Sequence, residues 1–445
     1  MLEAPIPCLP ALPLVGNVFA LRNERLALLT RISQRFGNIG AFHFGPRVVP
    51  LLNSPELVYA ALVEQSSAFE ITATVRALGS PVIGNGIFLS EGEEHRQHRK
   101  QIAPLFQPRR VLRYAETMLD CTMRLQANWQ EGETIDLASE MTRLTLWIIS
   151  DALFGADVSG AESELGKLLT YTFLHFADAV TNPIRLPQSW PTPRNRRVRS
   201  SLARINTTIY QMLARQRVSQ EERHDFLSLL LHAQDEEHTL ALSEQEMRDE
   251  ALSLFVAGHE TTANALTWSF YLLSQHPEMY ARMQAEGDKV LRGRPPTSAD
   301  LPNLPYTLQV LQETLRLYPP VYAFTRRAVK PVQLGSYSIP QNASVVISPY
   351  TLHRRASLFP HPEHFDPERF SPQREQNLAR YAYIPFSAGP RICLGMHFAL
   401  LEGHLILAAL TQRLTFEFAG SWPIAAKPLL TLRPKGAILM KVRRR

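Results

Sequence analysis

The chain has 445 residues, of which 45% are hydrophobic and 20% charged, so it can bury a large core and is too apolar to be disordered. With 47 Lys and Arg against 41 Asp and Glu, the net charge of +6 is mild for this length. It fits an acidic protein partner and does not demand nucleic acid. Three scattered cysteines, Cys8, Cys121 and Cys393, exclude a disulfide framework and a Cys-rich zinc site and fit a reducing, cytoplasmic setting.

The N-terminus has no basic segment followed by an apolar one, and no uncharged apolar stretch reaches the ~18 residues of a membrane span. A soluble protein without a membrane anchor is expected. Length alone suggests two or three domains, but no Gly/Ser-rich linker or compositional break divides the chain.

Pro5, Pro7, Pro10 and Pro13 stiffen an extended lead-in that closes at Gly16-Asn17. Residues 24–36 read as an amphipathic helix stopped at Gly37, and 39–44 and 47–53 as a hairpin turning at Gly45-Pro46. Ser54-Pro55-Glu56 reads as a helix cap. Residues 70–92 hold four glycines and little periodicity, which predicts a long irregular loop. A helix then carries Glu94 to Lys100, and helical patterns follow over 111–130, 138–155 and 161–180. A proline-rich loop over 182–193 and a basic helix over 195–217 complete what reads as a movable flap, 161–217.

The longest helix spans 243–275. Ser243 and Glu246 form a capping box at its start, Pro277 stops it, and its length is roughly 50 Å. Its centre is apolar on nearly all sides, the mark of a buried helix. Another helix covers 305–318, strand signals fill 321–349 with a turn at 334–336, an apolar helix runs 396–410, and 413–443 alternates as strands. The fold class is mainly α with a smaller β-rich region.

Four motifs carry chemistry. The first is Phe386-Ser387-Ala388-Gly389-Pro390-Arg391-Ile392-Cys393-Leu394-Gly395, before the apolar helix. Backbone N–H groups and the positive helix end can stabilise a thiolate there, although a lone cysteine also reads as a buried structural one. Gly389 permits a tight turn, Gly395 a close approach to a flat ligand, Phe386 can shield the sulfur, and Arg391 can meet a carboxylate.

The second motif is Ala257-Gly258-His259-Glu260-Thr261-Thr262, inside the buried helix. A zinc-protease helix would need a second His where Ala263 stands. Gly258 costs about 1 kcal/mol relative to Ala in a helix, tolerable where something must sit against the backbone. Glu260 and Thr261 form an acid–alcohol pair able to pass protons; equally, they read as a salt-bridged Glu and a Thr bonded into its own helix. The third is Glu313 with Arg316 at i, i+3, with Arg369 as a further partner, and the fourth is His95 with Arg99, one turn apart and able to reach one anion.

In this order the four motifs resemble the cytochrome P-450 superfamily of haem-thiolate monooxygenases, over essentially the whole chain. The resemblance implies one haem-binding domain over 1–445 and haem b, with Cys393 as the axial iron ligand. It implies oxygen activation and proton delivery by Glu260 and Thr261, with Ala257 and Gly258 beside the cofactor. It implies propionate partners among His95, Arg99, Arg326 and Arg391, the histidine place being open to His95 or His98. Glu313, Arg316 and Arg369 would be a structural triad. No flavin domain follows, so electrons are expected from a separate ferredoxin and its reductase, or from a flavodoxin-type donor.

The expected reaction splits O₂ and oxygenates a small apolar molecule such as a fatty acid, terpenoid or steroid. The pocket would be lined by Val256, Ala257, Val321, Phe324, Leu429 and Leu430 with the 70–92 segment, and Arg47 would stand at a channel mouth. Rival readings are a peroxide-using relative and a non-enzymatic haem protein.

Overall fold

The computed structural model describes residues 5–155, 190–218 and 242–445, with a few single positions between those segments. Its longer helices are α1 (Arg25–Phe36), α2 (Ala73–Ile83), α3 (Gly92–Ile102), α4 (Ala115–Ala127), α5 (Leu137–Phe154), α6 (Pro193–Val218), α7 (Glu244–Gln275), α8 (Pro277–Leu291), α9 (Pro305–Leu317) and α10 (Met396–Arg413). The main sheet combines β1 (Ile39–Phe44), β2 (Arg47–Leu52), β3 (Phe69–Glu70), β4 (Phe324–Ala328) and β5 (Ser344–Ile347) in the order β1-β2-β5-β4-β3. The β2–β5 pair is parallel, Leu51 opposite Val346, and the others are antiparallel. Smaller sheets are the hairpin Ala426–Pro428 with Leu432–Pro434, and three strands in which Leu439–Arg444 lies between Thr134–Asp136 and Leu414–Phe418.

Helix α7 is the axis of the main core. Its Ser243 hydroxyl accepts the Glu246 N–H at 3.2 Å while the Glu246 carboxylate accepts the Ser243 N–H at 2.8 Å, a capping box worth about 1 kcal/mol. Phe255, Trp268, Phe270 and Tyr271 are buried along it, each large apolar side chain adding about 2–3 kcal/mol. Pro277 does not simply stop this helix: His276 breaks it, and Pro277 is the first residue of α8.

The expected irregular loop over 70–92 is corrected. Residues 69–70 pair with β4, and α2 fills most of the segment despite Pro81. Pro81 removes one N–H, but Val82 and Ile83 beside it are buried in the main core, and Gly84, at φ 66°, closes the helix. The basic helix is present as α6. The helix expected over 161–180, most of the 182–193 loop and hence the flap as a unit lie outside the described residues.

Candidate active site

The cysteine loop turns through Ser387 at φ 64° and Gly389 at φ 72°. A Cβ on Gly389 would lie 1.9 Å from the Leu62 carbonyl oxygen, so only glycine fits. The Cys393 N–H then donates to Phe386 O at 3.0 Å and the Ile392 N–H to Gly389 O at 3.0 Å. Burial pushes the Cys393 thiol up, while the Gly395 N–H and the Arg99 charge pull it down. Yet the side chain is exposed. Open surface on a residue dominated by burial means that it faces an internal cavity.

A buried polar network stands behind the loop. Arg316 grips Glu313 through Nε and Nη2, each at 2.7 Å, and Arg369 Nε reaches the same carboxylate at 3.3 Å. All three are buried. The remaining Arg316 donors take the carbonyls of His353, Pro362 and His364 at 2.7–3.0 Å. His353, held neutral by burial with a pKa lowered to about 3, pairs Nδ1 with Arg316 O at 3.2 Å and accepts the Ile384 N–H on Nε2 at 2.9 Å. This chain of bonds ends two residues before Phe386.

Four of the expected cofactor partners come together. Arg99 donates to Ile392 O at 2.9 Å, and Arg391 donates to Ser90 O at 2.7 Å and pairs with Glu91. Burial first, then the charges of Arg391, Arg99, His98 and Arg326, lowers the His95 pKa to about 4. Burial and Arg391 lower that of Arg326 to about 10. Three guanidiniums and a neutral imidazole thus crowd together, with Glu91 the carboxylate among them and Glu70 already paired with Arg327 at 2.9 Å. His98 is turned away, 2.7 Å from Glu250 of α7.

An excess of buried cation calls for an anion. A soft sulfur donor on one wall and a cationic rim fit a flat, dianionic haem.

On the opposite side, Ala257 is exposed and Gly258 and Thr261 are half-buried, although α7 is otherwise buried around them. Ala257 and Thr261, one turn apart, share a face, and the Thr261 hydroxyl donates back to Ala257 O at 2.7 Å. Glu260 is buried. Arg433 Nε holds its carboxylate at 2.5 Å and the Thr431 hydroxyl donates to the same oxygen, with Asn264 Nδ2 on Thr431 at 3.2 Å. The second Glu260 oxygen has no hydrogen-bond partner among the described residues. A Cβ on Gly258 would lie 2.8 Å from Ile149 of α5, so its missing side chain serves the packing of α5 on α7.

The expected lining residues differ in placement. Ala257 is open to the cavity, Phe324 lies under the Arg326 guanidinium at 4.9 Å, and Leu430 packs partly buried on the main core. The Leu429 carbonyl accepts the Tyr322 hydroxyl at 2.8 Å. Val256 is buried in the core and Val321 is exposed. Sequence reasoning missed Glu91, His353, Thr431 and Arg433. Thr431 and Arg433 lie 171 and 173 residues from Glu260, beyond any local spacing signal.

A thiolate donor facing a buried helix across a cation-rimmed cavity defines the haem-thiolate class. The cytochrome P450 family model matches residues 6–440, and the chain belongs to that family. It is 36% identical over 427 residues to cyclooctatin synthase of Streptomyces melanosporofaciens, covering 95% of this chain and 91% of that one. Cyclooctat-9-en-7-ol 5-monooxygenase of the same organism is 33% identical (91% and 87% covered), and pentalenene oxygenase of Streptomyces avermitilis 30% (95% and 92%). The haem domain of cytochrome P450DA superposes with a TM-score of 0.91 at 25% identity, covering 100% of this chain and 99% of that one. The protein is a haem b-dependent monooxygenase of an apolar small molecule. No helix among the described residues is long and apolar enough to cross a membrane.

Proposed function

We propose that this enzyme oxygenates a ring-containing terpenoid in the cytoplasm, as a single haem domain supplied with electrons by a separate acidic ferredoxin or flavodoxin-type protein. The observation that carries the reading is the open Cys393 sulfur beside the Arg99, Arg326 and Arg391 cluster. Haem held by a Cys thiolate supplies the O–O cleavage chemistry. Cys393 is its axial ligand, with a thiolate eased by Arg99 and the Gly395 N–H. Arg99, Arg326 and Arg391 neutralise the propionates, and neutral His95 donates a hydrogen bond beside them.

Thr261 holds a proton at Oγ1 on the open face of α7, and Glu260 resupplies it from the Arg433 side. Glu313, Arg316 and Arg369 hold the loop rather than touch reactants. The names of the Streptomyces relatives and the apolar Phe324, Leu429 and Leu430 support the terpenoid reading. Arg109, Arg110 and Arg113 support an acidic donor. They are exposed on the segment leading to Tyr114, whose ring packs 5.7 Å from Phe398, on the cysteine side of the molecule.

A ligand screen tests the proposal. The ferric enzyme should shift from low to high spin with polycyclic terpenoids, and the reduced CO complex should show the red-shifted Soret band of a thiolate haem. Persistence of that band in Cys393→Ser would overturn the ligand assignment. Shifts confined to fatty acids, and lost in Arg47→Ala, would overturn the terpenoid reading. Donor reduction that is insensitive to salt and to Arg109→Glu would remove the acidic partner.

A further inference from the structure

Six of the fourteen exposed large apolar side chains among the described residues lie between positions 12 and 48: Leu12, Leu14, Val15, Phe19, Phe44 and Val48. They belong to two segments that touch. Gly16 bridges to Phe44, and the Gly45 N–H donates to Val15 O at 3.3 Å. Leu14, at φ 64°, is 93% exposed at the tip of its turn. Leu12 and Phe19 border a groove of about 560 Å³ whose wall also includes Arg31 and Arg35.

The charge around this apolar tip has one sign. Residues 5–50 contain five arginines and one acid, Glu24, which lies 3.7 Å from Arg31. Arg22, Arg31, Arg35 and Arg47 are exposed; Arg47 pairs across the hairpin with Phe44, and Arg22 is one turn from Phe19. The fifth, Arg25, turns inward and donates to the Tyr322 hydroxyl at 2.7 Å and to Pro428 O at 3.3 Å, while Tyr322 donates to Leu429 O. The apolar face is therefore bonded through one side chain to a turn that the proposed substrate pocket uses.

Projecting apolar side chains inside a ring of arginines match the boundary between anionic headgroups and acyl chains. That boundary accepts an irregular protrusion without a shaped pocket. A protein partner would have to supply a complementary cleft for Leu14 and Phe19. We propose that this face seats the enzyme peripherally on an anionic lipid surface, beside the turn carrying Leu429, where an apolar substrate partitions.

The holoenzyme is sedimented with vesicles of phosphatidylglycerol and phosphatidylcholine, and with phosphatidylcholine alone. It should pellet with the anionic vesicles, release at high salt, and bind phosphatidylcholine only weakly. Leu14→Asp and Phe19→Asp, both at exposed positions, should leave the haem spectrum and melting unchanged and abolish the binding. Each of Arg35→Gln and Arg47→Gln should weaken it roughly fivefold. A wild-type protein that stays in the supernatant overturns the proposal, as does undiminished binding by Leu14→Asp. Concentration-dependent dimerisation without lipid, lost in Leu14→Asp, assigns the face to a second copy instead. None of these outcomes depends on the substrate, so failure here leaves the terpenoid reading standing.

Discussion

The two walls of the cavity are held in different ways. Behind Cys393, the Glu313–Arg316–Arg369 cluster meets carboxylate with guanidinium, and guanidinium with backbone carbonyls, until the Arg316 donors are used and His353 carries the order forward to Ile384. On α7, Glu260 depends on two side chains of one hairpin and keeps an oxygen without a partner. Saturated buried networks specify one geometry, whereas partly satisfied ones leave a group free to act. The cysteine wall is built to stay still and the helix wall to exchange a proton.

Breaking the saturated wall should cost most. Arg316→Ala leaves Glu313 facing one distant arginine and three carbonyls without donors. Removing one partner of a buried pair costs about 3–5 kcal/mol. Equilibrium denaturation should show a loss of that size, with haem retention falling in parallel. Arg316→Lys should not rescue it, because an ammonium cannot make the bidentate grip and also reach His353, Pro362 and His364. A stable, haem-replete Arg316→Ala protein would refute the contrast between the walls.

The same substitution on the helix wall should be milder. Arg433 is 27% exposed, so water replaces part of what it gives Glu260. Arg433→Ala should destabilise by about 1–3 kcal/mol. Adding Glu260→Gln should recover most of that loss, since a neutral amide needs no counter-charge. A double-mutant cycle with near-zero coupling would show that the pair is idle.

Which parts were legible follows from the same contrast. Contacts within one helix are written at short spacing: Ser243 with Glu246, Glu313 with Arg316 and the glycine turn before Cys393 all read directly. The Arg433–Glu260 pair is not, because it joins a buried helix to a hairpin in the C-terminal strands. Helix α2 was hidden by Pro81 and the glycines around it, whose local cost is outweighed by burial of Val82 and Ile83. Gly258 was legible as a close approach, but sequence could not say that the approaching group is Ile149.

A smaller effect should appear in the pH dependence. Glu402 of α10 is buried, and burial raises its pKa to about 8, partly opposed by the Thr262 hydroxyl bond. An unfolded glutamate titrates near ~4.3. Between these values the folded chain holds one proton more, so stability falls as pH rises, the reverse of an ordinary salt-bridged acid, by at most ~1.4 kcal/mol per pH unit. Glu402→Gln should flatten that fall. Urea midpoints at about pH 5 and about pH 8 measure it; an unchanged slope would mean that Glu402 is ionised when folded.

Thr261→Val should have the least effect on stability and so isolates function. The hydroxyl bonds only back to Ala257 O within its own helix, valine keeps its shape, and the expected change is within ~0.5 kcal/mol. Melting, the CO spectrum and substrate spin shifts should match the wild type. If Thr261 Oγ1 passes protons on the open face of α7, product formed per electron should nevertheless drop and peroxide release should rise. Thr261→Ser should restore coupling, because it returns the hydroxyl. Val and wild type with equal coupling would reduce Thr261 to a helix-bonded side chain, leaving Ala257 alone to mark the reactive face.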